Sequence, residues 1–182
     1  APKRAGQSTK EVSRRHKIIV SENRLITVTG GKWTTYRRMA QDTVDRVIGL
    51  GLLPRRPCTT ASYHIHGYRP SPDPGNHLCI YGSDMPAVQE LMLSAPEMAV
   101  PLSPDYPYTA AEAVWAVRHE MARTVEDILA RRLRLLFLDA RAAVEAAPAV
   151  AHIVAGELGY GRQWEERQVK AFAGLASGYE LA

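Results

Sequence analysis

The hydrophobic period changes at Gly30-Gly31, and that change limits what the first part of the chain can build. Before the glycines, Lys17–Val20 (KIIV) and Leu25–Thr29 (LITVT) are β-branched and apolar, which predicts two strands. Ser21-Glu22-Asn23-Arg24 between them suits a hairpin turn. After the glycines, Trp33, Tyr36, Met39, Ala40, Thr43, Val44 and Val47 recur at three- and four-residue steps, the spacing of one helix face. Gly49, Gly51 and Pro54 end that helix. Its apolar face predicts that this first unit packs against strands outside these residues.

Residues 54–76, with Pro54, Pro57, Pro70, Pro72 and Pro74, read as an extended connection. A short helix follows over Asp84–Ser94 from a Ser83/Asp84 cap, then a proline-rich loop from Pro96 to Pro107. Thr109-Ala-Ala-Glu112 is a capping box, in which Thr accepts from the third-residue N–H and Glu reaches back. Val114, Val117, Met121, Val125, Ile128 and Leu129 then share one helix face, and Leu133, Leu136, Phe137 and Ala140 repeat the pattern. Pro148 is expected to interrupt it near the start of another helix, with Val150, Ile153, Val154 and Leu158 inward and Gly159 and Gly161 closing it. The last helix spans Arg162 to Ala176, with Trp164, Val169 and Phe172 inward. The fold class is therefore mainly α: a β-hairpin plus helix (1–53), a proline-rich linker (54–82) and a helical carboxyl-terminal domain (83–182).

At 182 residues, 46% hydrophobic and 23% charged, the chain has enough apolar material for a real core. The net charge of +4 gathers near the start, at Lys3, Arg4, Lys10, Arg14, Arg15 and Lys17. No aromatic residue interleaves those charges, so they read as a solvated tail and not as a nucleic-acid arm. Cys58 and Cys79 form no C-x-x-C pair and point to free thiols in a reducing, cytosolic setting. The first residues lack the apolar core of a signal peptide, and no run approaches the roughly 20 apolar residues that span a bilayer. The chain opens without methionine on residues that read as a loop already under way, the expected look of a fragment.

Chemistry concentrates at the period change. Two glycines let a ligand approach the backbone, and the helix start behind them offers free N–H groups and about half a positive charge. Lys32 adds a full charge, and Thr34 and Thr35 add hydroxyls that bond a ligand or cap the helix. From the residues alone, an anion site and a plain capped strand-to-helix turn remain equally open. Neither G-x-x-x-x-G-K-[ST] nor G-x-G-x-x-G is present. His64, His66, His77 and Cys79, with Cys58 nearby, lack zinc-site spacing and read as loop residues, and His119-Glu120 lacks the second His of H-E-x-x-H. Glu120–Arg123 and Asp127–Arg131 are spaced as intrahelical ion pairs.

The run STKEVSRRHKIIVSENRLITVTGGKWTTYRRMAQDTVD resembles the carboxyl-terminal half of the flavin-dependent, quinone-linked glycerol-3-phosphate dehydrogenases. The likeness lies in Ser13, Arg14 and His16, in the hairpin, and in the G-G-K-W-T-T-Y-R block from Gly30 to Arg37. Pro107 to Ala143 resembles the helical domain of the same family, while YHIHGY at Tyr63–Tyr68 departs from the apolar junction expected there. The resemblance implies that residues 1–53 are the last piece of an FAD-binding α/β domain whose G-x-G-x-x-G part lies upstream. It implies that Gly30, Gly31, Lys32, Trp33 and Thr34 border the flavin, that Lys32 points to substrate and acts in catalysis, and that Arg14 grips the phosphate of glycerol 3-phosphate. A hydride would pass from the secondary alcohol carbon to flavin N5 and the electrons on to quinone. His16 reads as structural. The implied setting is peripheral, at the inner face of the cytoplasmic membrane, with a possible homodimer, the chain's own amino-terminal FAD domain as partner, and no nucleic acid. Alone, the chain is expected to be inactive. The alternative from a different class is a stand-alone helical interaction module without catalysis.

Overall fold

β-branched residues set the first pairing. In a computed structural model, which describes residues 16–179, β1 (Lys17–Val20) and β2 (Ile26–Thr29) run antiparallel with Lys17 opposite Thr29 and Val20 opposite Ile26. Asn23 organises the turn: its side-chain oxygen accepts from the Ser21 hydroxyl at 2.6 Å and from the Leu25 N–H at 3.2 Å. Arg24 completes the turn in the left-handed region, at φ 64°. A 3₁₀ turn (Trp33–Thr35) leads into α1 (Tyr36–Gly49).

The chain divides between Ile65 and His66 into two compact units. No described residue of the first unit is buried, and Ile19, Val28, Trp33, Tyr36, Val44 and Leu53 are all exposed. An open groove of about 830 Å³ runs beside α1, lined by Tyr36, Val44, Ile48, Leu53, Tyr63 and Ile65 among others. Within the described residues this unit builds no apolar core of its own.

The second unit has a core. α2 (Met85–Ser94) follows 3₁₀ turns over His77–Asp84, with Asp84 at its N-cap. β3 (Pro101–Ser103) and β4 (Tyr106–Thr109) form a hairpin that begins in the stretch expected as loop and runs past its end at Pro107, with Pro101 at the first position of its strand, where a missing N–H is tolerated. α3 (Ala110–His119), a π-helical turn (Asp127–Arg132), α4 (Leu135–Leu138), α5 (Ala140–Leu158) and α6 (Arg162–Ala176) complete it. Small residues on α5, among them Ala143, Ala147 and Ala151, let α3 and α6 pack closely around Ile128, Leu129, Leu135, Val150 and Phe172.

The helical reading needs corrections in three places. The face drawn from Val114 through Leu129 is broken after His119, where Met121 turns left-handed (φ 59°) and lies 77% exposed. Side chains stabilise this break: Arg123 donates to the Val117 and Ala122 carbonyls, and Arg132 pairs with Glu120 at 3.4 Å in place of the expected Glu120–Arg123 pair. Phe137, expected inward, is 54% exposed and meets Tyr179 edge-on, because left-handed Arg134 resets the helix phase. Pro148 lies inside α5 without ending it. It sits on the exposed face, where water can solvate the carbonyl its missing N–H leaves free.

The new helix start after the break is a reciprocal cap. The Thr124 hydroxyl donates to Asp127 Oδ2 at 2.8 Å, and the Asp127 N–H donates back to it at 3.1 Å. The expected Asp127–Arg131 pair forms at 2.9 Å. Burial alone would raise the Asp127 carboxyl. The N–H groups of Arg123 and Thr124, the Thr124 hydroxyl and Arg131 outweigh it and hold the group below its ordinary 3.8. A depressed folded value means that this stabilisation is present above the unfolded value and is lost as pH falls through the folded one. Asp127→Asn is therefore expected to lower the melting temperature at neutral pH and to converge on wild type as pH falls below 3.8 and through the folded value. Parallel wild-type and variant curves across that range would contradict this.

Candidate functional site

Strand β2 ends at Thr29, and the chain then turns through Gly30 (φ 78°) and Gly31 (φ 84°). Side chains rarely adopt these angles, so glycine is the fitting residue at both positions. At Gly31 the space is taken too: a Cβ would collide with Met39 Sδ of α1. Lys32 then returns to extended backbone (φ −134°, ψ 153°) before the 3₁₀ turn.

The turn leaves Gly30, Lys32, Trp33 and Thr34 exposed and Gly31 half-buried. Trp33 is 87% exposed, with its ring 5.7 Å from that of Tyr36 in a stacked arrangement. Lys32 and Thr34 are exposed as well, and among the described residues the Lys32 ammonium has no ion-pair partner. α1 begins directly behind the turn and brings the positive end of its helix dipole there, with the Tyr36 N–H taken by the Trp33 carbonyl. A backbone edge without Cβ atoms, an uncommitted cation and an oriented dipole can together receive a planar, electron-rich ligand edge. Arg14 lies outside the described residues.

His16 is tied to α1: its Nε2 lies 3.0 Å from Asp42 Oδ2, and Asp42 Oδ1 accepts from Arg38 Nε at 2.9 Å. That contact agrees with a structural His16. The sequence reading did not single out Thr35 as a partner of Lys32. The Thr-Thr doublet before a helix start was the available signal, and it did not say which hydroxyl turns toward the backbone.

The other candidate clusters resolve differently. His66 Nε2 sits 2.7 Å from Asp84, and His77 Nε2 lies 3.2 Å from Glu112. Among the described residues, no group of three or more His, Cys, Asp or Glu comes together to hold a metal ion. No described helix is long and apolar enough to cross a membrane.

In the second unit Glu112 is a buried acid with both carboxylate oxygens bonded. It is 0% exposed, and its carboxylate accepts from the Thr109 N–H (2.8 Å), the Thr109 hydroxyl (3.3 Å), the Tyr81 hydroxyl (3.1 Å) and His77 Nε2 (3.2 Å). Burial, and then the adjacent Glu112 charge, push the Tyr81 phenol far above its ordinary value, so it stays a donor. The capping box is therefore also the polar centre joining the 77–84 turns to α3.

Residues 23–168 match the family described as the C-terminal domain of alpha-glycerophosphate oxidase. A probable mitochondrial glycerol-3-phosphate dehydrogenase of Caenorhabditis elegans is 36% identical over 185 residues, covering 90% of this chain and 26% of the relative. The mitochondrial glycerol-3-phosphate dehydrogenase of Mesocricetus auratus is 35% identical, with 90% and 24% covered, and that of Saccharomyces cerevisiae 32%, with 88% and 31%. The chain thus spans about a quarter to a third of the length of these curated relatives. Their names place the relatives in mitochondria, which overturns the expected position at the inner face of the cytoplasmic membrane. With the match covering most of its length, the chain belongs to the family of the C-terminal domain of alpha-glycerophosphate oxidase.

Proposed function

We propose that this chain is the carboxyl-terminal portion of an FAD-dependent glycerol-3-phosphate dehydrogenase, and that the Gly30–Thr34 turn closes one side of its flavin and substrate site. The observation that carries this is the junction itself: two left-handed glycines, an exposed lysine without an ion-pair partner among the described residues, and a helix start follow one another within seven residues. Those residues fit a flavin edge. Gly30 and Gly31 leave the peptide approachable, Trp33 offers a bare aromatic face, and the helix dipole favours negative charge beside it.

When bound, FAD supplies the acceptor for the hydride leaving the secondary alcohol carbon of glycerol 3-phosphate. The work of this chain is binding and orientation. Gly30, Gly31, Lys32, Trp33 and Thr34 hold the cofactor edge, Lys32 orients the substrate, and Arg14 grips its phosphate through the parallel donors of the guanidinium. Electron transfer to quinone, docking to the protein's own amino-terminal FAD domain, a homodimer and contact with a membrane surface belong to the same reading. The exposed apolar face of the first unit supports the docking.

Expressed alone, the chain is expected to be colourless and without dehydrogenase activity. A full-length protein carrying it is expected to be yellow and to reduce a dye acceptor with glycerol 3-phosphate. Tight FAD binding by the isolated chain, or a full-length protein inert toward that substrate, would count against the proposal.

A further inference from the structure

The backbone that presents Lys32 is held by side chains to which the proposed chemistry assigns no role. Lys32 is extended, between a left-handed glycine and a 3₁₀ turn, so no regular ladder claims its N–H, while its carbonyl accepts the first bond of the turn. Thr35 takes both. Its hydroxyl oxygen accepts from the Lys32 N–H at 3.3 Å, and its O–H donates to the Lys32 carbonyl at 2.9 Å. A single hydroxyl can make both bonds because it carries a donor and free lone pairs. The Thr35 backbone N–H adds a bond to the same carbonyl at 3.0 Å.

The other side of the turn is fixed from α1. Gly31 rests against Met39, and its missing Cβ would also lie 3.4 Å from His16 Cβ. His16 is in turn held by Asp42, which Arg38 steadies. α1 therefore supplies the floor of the turn, and Thr35 closes its backbone. Thr35 is the third residue of the 3₁₀ turn that Lys32 caps, the position from which a capping-box side chain reaches back to the cap N–H. Here the hydroxyl reaches back and engages both polar groups of the lysine, and its β-branch keeps its side-chain torsion stiff.

We infer that Thr35 is a positioning residue: by fixing the Lys32 backbone it sets the direction in which the ammonium meets substrate. The inference rests on the reading of Lys32 proposed above. Thr35→Val keeps the shape and the branch but removes both hydroxyl bonds, whereas Thr35→Ser keeps the hydroxyl. In the full-length, flavin-loaded protein, Thr35→Val is expected to lower kcat/KM for glycerol 3-phosphate about tenfold, and Thr35→Ser to restore it to within about twofold. Flavin absorbance and melting temperature should stay near wild type in both. Against a Lys32→Ala background, Thr35→Val should add little, because its effect passes through Lys32.

A Thr35→Val enzyme with wild-type kcat/KM overturns the inference. So does a cost that persists undiminished in the Lys32→Ala background, or loss of flavin in Thr35→Val that Thr35→Ser does not share. Should Thr35→Val fail to fold, Thr35→Ala carries the same comparison. Unchanged kinetics for Lys32→Ala alone overturn the reading of Lys32, and this inference with it. An impaired Lys32→Ala beside an unimpaired Thr35→Val overturns the inference alone.

Discussion

Glu112→Ala should cost the second unit about 2–5 kcal/mol of stability, the range for truncating a buried side chain and leaving its partners unsatisfied. The carboxylate is fully buried, and its loss strands the Tyr81 hydroxyl, the His77 ring and the Thr109 N–H without their acceptor. Each buried group left unsatisfied carries a desolvation penalty of about 1–3 kcal/mol, and a cavity adds to it. Glu112→Gln keeps the volume and one acceptor oxygen, but its amide turns donors toward donors. Its expected cost is smaller than that of alanine, yet clearly measurable. Urea unfolding of this chain, followed by far-ultraviolet circular dichroism, gives the comparison. A Glu112→Ala midpoint within error of wild type would mean that the network contributes nothing net.

The second large effect concerns chemistry. In the full-length flavoprotein, Lys32→Ala is expected to lower kcat/KM for glycerol 3-phosphate roughly 10- to 100-fold, the value of a hydrogen bond to a charged group. The physical basis is the exposed position of Lys32: among the described residues no acid neutralises its ammonium, so the charge is available to an anionic substrate. Lys32→Arg keeps charge but replaces a compact ammonium by a planar fork, so it should recover only part of the loss. Stopped-flow reduction of the bound flavin separates this step from re-oxidation by the acceptor. Wild-type rates for Lys32→Ala would remove Lys32 from the site.

These two residues show what was legible and why. Lys32 stands out in one dimension, because a double glycine ends a β-branched run and a helical period starts directly behind it. Its neighbours in the proposed site are its neighbours in sequence, so the turn could be read as a unit. Glu112 was legible only in part. The T-A-A-E spacing announces a capping box with Thr109, and that box forms. Its other partners, His77 and Tyr81, lie 35 and 31 residues away, and no local pattern links them to it. The broken helix teaches the same lesson. Val117 and Val125 are both buried, so periodicity joined them across a segment where Met121 is turned outward and left-handed. What overrode the period was Arg123 and Arg132 bonding to carbonyls and Glu120 around the bend, together with the Thr124–Asp127 cap.

By itself, the sequence determined the hairpin, the glycine turn with its lysine, the cap at Thr109 and the final helix over Arg162–Ala176. Each of these rests on interactions between residues within a turn or two of one another. Only the tertiary structure decided that Glu112 is buried, that Pro148 can sit inside α5 on its wet face, and that Phe137 points outward. It also decided that the Thr35 hydroxyl turns back onto Lys32. Burial and hydrogen-bond choice depend on which distant segments exclude water from a group, and that is settled only when the helices pack.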